Sequence, residues 1–311
     1  MHDTVFVTGG AGFIGPHVVR RLLQGGSRVV SFDNYMTGSA QALSGEGEGL
    51  EIVKGDVRDL AQVTDALVRA RPNAILHLAA IHYIPYCNAH PAEAMDVNVT
   101  GTFNLLQAAK DVGVTKVVMA SSAAVYPIQD EACREDAPTG PTDIYGATKV
   151  ALEALGQSFA AETGIPVTSA RFFNVYGPGE TNPHVIPDIL AQLGGDGPVK
   201  LGNMTPKRDY VHVSDIADGL VALLGSDHAE HRAYNIGTGS EHSVSELIEV
   251  LSGAVGRDIE VVSEPGRKRR LDRQHLLSDI SRMREEIGWE PRYTLQDGLR
   301  ELVLETVGGA S

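Results

Sequence analysis

The chain has 311 residues, with 26 Lys+Arg against 40 Asp+Glu, and so a formal charge of −14 at pH 7. Such a surface repels phosphate backbones and anionic bilayers, which argues against nucleic-acid and membrane partners. The two cysteines, Cys87 and Cys133, fit no disulfide framework or zinc-ligand spacing, and no apolar run approaches the ~20 residues of a spanning helix.

The chain enters a strand at once, without the pattern of a signal peptide, so a cytoplasmic location is expected. In chain order, apolar runs predict strands at Thr4–Thr8, Arg28–Phe32, Leu50–Val53, Ala74–His77, Lys116–Ala120 and Val167–Arg171. Amphipathic stretches between them predict helices at Gly12–Gln24, Leu60–Ala70, Pro91–Asp111 and Ile144–Glu162. Gly38–Gly49 reads as a surface loop. Strands this apolar suit a parallel sheet covered on both faces, so the predicted class is α/β, a doubly wound Rossmann-type domain. After about residue 172 the pattern loosens, with helices expected at Pro187–Leu193, Val213–Leu224, Ser243–Gly253 and Ser278–Ile287. Returns to the sheet are expected at Tyr210–Val213 and Ala233–Ile236. The expected division is residues 1–172 plus about 207–238 for the first domain. Residues 173–206 plus about 239–311 form a smaller, interleaved α/β domain.

The first strand runs into Thr8-Gly9-Gly10-Ala11-Gly12-Phe13-Ile14-Gly15 and then a helix. Gly9 permits a tight turn, Gly12 lets backbone approach a pyrophosphate, and Gly15 allows close helix–strand packing. The helix N-terminus offers unpaired N–H groups to the diphosphate. Asp33 ends the second strand, where a carboxylate accepts both ribose hydroxyls and repels a 2′-phosphate, favouring NAD over NADP. Asp56-Val57, ending the third, is a candidate adenine contact.

Tyr145 and Lys149 are four apart in a helical stretch and share one face. Tyrosine titrates near pH ~10, so a general base needs the lysine ammonium, one turn away, to stabilise its phenolate. Ser121-Ser122 follows a strand, at the carboxyl edge where such folds bind ligands.

With those features the chain resembles the extended short-chain dehydrogenase/reductase family, in its nucleotide-sugar epimerase/dehydratase branch, and most the UDP-sugar 4-epimerases. The resemblance spans nearly the whole chain. Further carriers are His77-Leu78-Ala79-Ala80, Ser121-Ser122-Ala123-Ala124-Val125-Tyr126, Tyr145-Gly146-Ala147-Thr148-Lys149, Arg171-Phe172-Phe173-Asn174-Val175-Tyr176-Gly177-Pro178 and Arg208-Asp209-Tyr210-Val211-His212-Val213. It implies a catalytic set of Tyr145, Lys149 and Ser122. It also implies NAD contacts at Gly9, Gly12, Phe13, Ile14, Gly15, Asp33, Asn34, Asp56, Val57, Leu78, Ala79, Ala80 and Asn98. Substrate contacts are implied at Ser121, Ser122, Asn174, Arg208 and Arg269, and a homodimer through the helices at Pro91–Asp111 and Ile144–Glu162. No metal is implied.

Relatives that dehydrate carry Asp-Glu directly after the catalytic hydroxyl residue, and decarboxylating ones carry a Glu in the second of these places. Here the two places hold Ala123 and Ala124, which transfer no proton. What remains is oxidation at the sugar C4, rotation of the keto-sugar and reduction of its other face, which is 4-epimerisation. UDP-glucose/UDP-galactose is the expected substrate pair. The alternatives are UDP-glucuronic acid or an N-acetylhexosamine sugar, then a net dehydratase or reductase, then an NAD-binding sensor without catalysis.

Two departures stand out: Pro127 where relatives have glycine, and the aromatic segment Ile81–Cys87. His82 and Tyr83 could stack on a hexose, donate to a 6-carboxylate, or only pack beneath the loop. His184 is expected on a loop near the nucleotide base. The basic run Arg267–Arg270 is read as the rim of a diphosphate pocket in an otherwise acidic protein.

Overall fold

A computed structural model describes residues 3–195, 197–228, 230–264, 266 and 273–308. Seven parallel strands form the central sheet: β1 (Thr4–Thr8), β2 (Arg28–Asp33), β3 (Leu50–Lys54), β4 (Ala74–His77), β5 (Lys116–Ser122), β6 (Val167–Phe172) and β11 (His231–Ile236). Their order is β11-β6-β5-β4-β1-β2-β3. The order reverses between β1 and β4, which opens a crevice above the carboxyl ends of those two strands. Thr8 Oγ1 and His77 Nδ1, 2.7 Å apart, tie the two ends together.

Helices cover both faces because the strands are apolar on both sides. Val18, Val19 and Leu22 of α1 (Gly15–Gln24) pack on one face with Ile216, Leu220 and Leu223 of α8 (Val213–Leu224). On the other lie Val63 and Leu67 of α2 (Leu60–Ala70), Leu105 of α5 (Gly101–Ala109) and Leu152 and Phe159 of α6 (Ile144–Thr163). The helix expected over Pro91–Asp111 is α4 (Pro91–Met95), a π turn at Asp96–Thr100, and α5. Before it stands the short α3 (Ile84–Ala89), within the aromatic segment.

The remainder builds a second core around Tyr176, Ile189, Leu247, Leu251 and Leu299. Its helices are α7 (Val185–Leu193), α9 (Val244–Val255) and α10 (Leu295–Gly308). Three small ladders join β7 (Asn174–Tyr176) to β10 (Tyr210–His212), β9 (Lys207–Arg208) to β12 (His242–Ser243), and β8 (Val199–Leu201) to β13 (Val261–Ser263).

Three expectations need correction. The stretch at Tyr210–Val213 does not rejoin the central sheet: β10 pairs with β7 over three residues. The edge of β6 is taken instead by β11 in a six-residue register, the longer ladder. The helix expected from Ser278 is confined to its last turns, ending in a π turn at Met283–Ile287. Ser278 bridges to Cys133, and Asp279 N donates to Cys133 O at 2.9 Å, which commits that backbone elsewhere. The first helix starts at Gly15 rather than Gly12, because residues 9–14 form the turn. Among the described residues no helix is long and apolar enough to cross a membrane, and no cluster of three or more His, Cys, Asp or Glu side chains could hold a metal ion.

Candidate active site

A cleft of about 950 Å³ opens above the β1/β4 crevice, between the central sheet and the second core. Gly9 begins its floor with φ +71°, and a Cβ there would lie 2.6 Å from Ala79 N. Only glycine tolerates both the conformation and that approach. Gly15 is equally constrained, but by Gly10 O at 2.3 Å, so it closes on the loop rather than on a strand. Gly12 differs: the only atom near its would-be Cβ is Gly9 O, at 3.4 Å. The chain's own packing does not require that glycine, and its absent side chain leaves the cleft side open. No side chain caps the N-terminus of α1, so its backbone donors suit a diphosphate. These are the features a dinucleotide needs, and the residues fit NAD.

Asp33 is buried at the end of β2. Its Oδ2 accepts from Ala11 N (2.9 Å) and its Oδ1 from Tyr35 N (2.8 Å). Tyr35 takes φ +60° to complete this turn, a rare conformation for a bulky side chain. Asp33 and Asn34 both line the cleft, as do Val57, Leu78, Ala79 and Ala80. A carboxylate fixed at the end of β2 would repel a 2′-phosphate, so the protein is expected to bind NAD at least about tenfold more tightly than NADP, a difference of about 1.4 kcal/mol. Calorimetry giving equal affinities would contradict that role.

Two expected cofactor contacts lie outside the cleft wall. Asp56 is claimed by Arg58, whose Nε and Nη2 donate at 3.0 and 2.7 Å, and by Asn34 Nδ2 at 3.0 Å. The Arg58 guanidinium holds the Asp56 carboxyl well below the usual range. Asn98 is buried on the π turn. Its Oδ1 accepts from Ile81 N (2.8 Å), and its Nδ2 donates to Ile81 O (2.9 Å) and Thr148 Oγ1 (3.0 Å). It braces the loop after β4 against α6. A π turn is a frequent marker of functional sites, and here it positions one cleft wall.

At the α6 side of the cleft, Asp143 starts the helix by accepting from Gly146 N at 2.8 Å. That cap sets the helix phase so that Tyr145 and Lys149 both reach the cleft. Lys149 Nζ lies 5.6 Å from the Tyr145 ring centre and donates to Ala120 O at 2.7 Å. The Ser122 hydroxyl meets Tyr145 and also accepts from Ala124 N at 3.1 Å. Burial pushes the Tyr145 phenol above its ordinary value, and the Ser122 hydrogen bond opposes it. Desolvation is the largest influence on the Tyr145 phenol in the protein by itself.

Burial also pushes Lys149 down, from 10.5 to about 8. The sign follows directly. Between these values the unfolded chain binds the proton and the folded chain does not, so this burial cost is full below about pH 8 and fades as pH rises toward 10.5. For activity the direction reverses: kcat/KM is expected to fall as pH rises through about 8 and the ammonium is lost. A pH profile of kcat/KM checks this, and Lys149→Met should remove that limb.

Ser121 and Ser122 both line the cleft, but their hydroxyls have different partners. Successive strand residues face opposite sides, and β5 extends through both serines. While Ser122 faces Tyr145, Ser121 is buried and donates to Glu153 Oε1 at 2.5 Å. Glu153 also accepts from Arg171 Nε (2.9 Å) and Nη2 (2.7 Å). Arg171 Nη1 donates onward to the Tyr126 hydroxyl at 2.8 Å. Sequence reasoning missed Glu153, although it continues the Tyr145–Lys149 spacing by one more turn.

The facing wall carries Asn174, Arg208, His82, Tyr83 and His184. Arg208 Nη1 donates to Lys207 O and Arg273 O at 2.7 and 2.8 Å. His82 Nε2 accepts from Asn182 Nδ2 at 3.1 Å, and burial lowers its pKa to about 4, so the ring is neutral near pH 7. His184 is on the loop before α7 and stands against His82 and Tyr83, ring centres 5.9 and 5.8 Å away. Its Nδ1 bonds Glu180, a residue that sequence reasoning missed. Arg273 was missed as well: it lines the cleft and donates to Pro127 O (3.1 Å) and Tyr126 O (2.8 Å), anchoring the loop that carries the unusual proline. Arg269 and the run Arg267–Arg270 lie outside the described residues.

A glycine turn at the switch point and a Ser/Tyr/Lys set beside it define a dinucleotide-dependent α/β protein with a second ligand wall. The profile of the GDP-mannose 4,6 dehydratase family matches residues 6–302. UDP-glucose 4-epimerase of Corynebacterium glutamicum is 33% identical over 309 residues, covering 93% of this chain and 91% of that protein. Among solved structures, UDP-glucose-4-epimerase from Stenotrophomonas maltophila with bound NAD and formylated UDP-arabinopyranose aligns at TM-score 0.92 and 30% identity, covering 99% of each chain. MoeE5 in complex with UDP-glucuronic acid and NAD aligns at 0.87 and 32%, covering 99% of this chain and 100% of that one. The chain belongs to the GDP-mannose 4,6 dehydratase family, within the extended short-chain dehydrogenase/reductases.

Proposed function

We propose that this protein is an NAD-dependent enzyme that inverts C4 of a UDP-sugar through a transient 4-keto intermediate. The observation that carries the reading is the cleft's proton chemistry: Ser122, Tyr145 and Lys149 converge there, while Ala123 and Ala124 sit where a dehydrating relative has an acid and a base. Bound NAD supplies reversible hydride acceptance. Tyr145 takes the O4 proton and later returns it, Ser122 shares that proton through its hydroxyl, and Lys149 holds positive charge beneath them. Asn174 and Arg208 hold the diphosphate from the facing wall, with Arg269 as a third contact.

We infer a neutral hexose, UDP-glucose interconverting with UDP-galactose, on the likeness to the UDP-glucose 4-epimerases. The test is incubation with UDP-glucose, UDP-galactose, UDP-glucuronate and UDP-N-acetylglucosamine, followed by separation of C4 epimers. Turnover of UDP-glucuronate or the N-acetyl sugar alone would replace the neutral-hexose assignment. Net NADH consumption would replace epimerisation.

A homodimer in the cytoplasm completes the proposal. The helix run Pro91–Ala109 exposes Met95 and Phe103, apolar side chains suited to a partner helix. Sedimentation is expected to give twice the chain mass, and Phe103→Asp to shift it toward the monomer.

A further inference from the structure

Helix α6 grips β5 at two successive residues. Lys149 Nζ donates to Ala120 O at 2.7 Å, and one turn further on Glu153 Oε1 accepts from the Ser121 hydroxyl at 2.5 Å. The next residue on the strand is Ser122. Successive side chains of a strand point to opposite faces. A Ser121 side chain committed to Glu153 therefore fixes where Ser122 points, and its hydroxyl meets the phenol of Tyr145.

The anchor is itself held. Arg171 Nε and Nη2 donate to the Glu153 carboxylate at 2.9 and 2.7 Å, a two-point contact between side chains only 6% and 10% exposed. Arg171 Nη1 continues to the Tyr126 hydroxyl at 2.8 Å, which donates to Asn235 Oδ1 on β11 at 2.7 Å. One buried ion pair thus holds the chain on both sides of Ser122, at the residue before it and at Tyr126 beyond it. Between these anchors Ser122 Oγ accepts from Ala124 N at 3.1 Å. Neither Glu153 nor Arg171 lines the cleft, so the pair reaches the chemistry only through the backbone it holds.

We propose that Ser121, anchored by the Glu153–Arg171 pair, is a positioning residue for the reaction and aims the Ser122 hydroxyl at Tyr145. The inference rests on the C4 reaction proposed above. Ser121 is 1% exposed and spends its O–H on Glu153, so it acts through Ser122 and not on the sugar. A displacement of about an ångström at the reacting groups is enough to cost much of the rate.

The experiment is steady-state epimerisation of UDP-glucose by Ser121→Ala, Ser122→Ala and the double variant, with C4 epimers separated. Ser121→Ala leaves both hydrogen bonds of the ion pair in place, so its urea midpoint should stay near that of wild type. The expected result is kcat lowered at least about tenfold at unchanged KM. Adding Ser121→Ala to Ser122→Ala is expected to cost nothing more, because no hydroxyl then remains to be aimed. Ser121→Cys keeps the side-chain volume with only a weak donor and is expected to repeat the loss. A kcat within about twofold of wild type in both Ser121 variants overturns the inference. A raised KM at unchanged kcat also overturns it and makes Ser121 a direct sugar contact. A further loss in the double variant as large as in the single one overturns it too, leaving a structural role alone. Wild-type protein that yields no C4 epimer overturns the underlying reading and the inference together.

Discussion

Tyr145→Phe is expected to lower kcat by about 10²–10⁴-fold, the usual contribution of a positioned acid–base group. Phenylalanine keeps the ring and its place on α6, so NAD affinity and KM should change little. The loss belongs to the proton on the sugar O4, for which the Ser122 hydroxyl that meets Tyr145 has no base of its own. Burial raises the Tyr145 phenol, so the free protein does not store a phenolate. Tyr145 would regain phenolate character beside the positive charge that bound oxidised NAD would supply. Turnover within a few-fold of wild type, measured by separating C4 epimers, would remove Tyr145 from the mechanism.

Glu153→Ala is expected to destabilise the fold by about 3–5 kcal/mol, the cost of leaving one partner of a buried ion pair alone. Arg171 and Glu153 have side chains only 6% and 10% exposed. Removing the carboxylate strands the guanidinium and leaves the Ser121 hydroxyl without its acceptor. Urea unfolding reads the effect, and Glu153→Ala combined with Arg171→Met should recover part of it, because the buried charge is then gone as well. A midpoint unchanged in the single variant would show that the pair does not hold the ends of β5 and β6 together.

Much of the site was legible because its logic is short-range. Gly9, Gly12 and Gly15 lie within one turn, and Tyr145 and Lys149 within one helical repeat. Ser121 and Ser122 both line the cleft, but that the Ser121 hydroxyl is bonded to Glu153 while Ser122 meets Tyr145 depends on β5 running through both serines, and that extension is not legible in residue types. The Asp56 carboxylate, a candidate adenine contact, also pairs with Arg58 two residues on. That choice depends on side-chain orientation, which residue types alone leave open.

By itself, the sequence determined the doubly wound sheet, the dinucleotide turn and the phase of the Tyr/Lys helix. Each of these follows from apolar periodicity, glycine stereochemistry or a spacing of a few residues. The tertiary structure alone decided which distant groups meet in the cleft. It brought Asn182 to His82, 100 residues apart, paired β10 with β7 instead of the sheet, and turned Glu180 inward beside His184. Those outcomes depend on burial and long-range register, and burial sets charge: it lowers Lys149, raises Tyr145 and leaves His82 neutral. Local sequence specifies which groups can titrate, and desolvation in the folded cleft decides the state in which they stand.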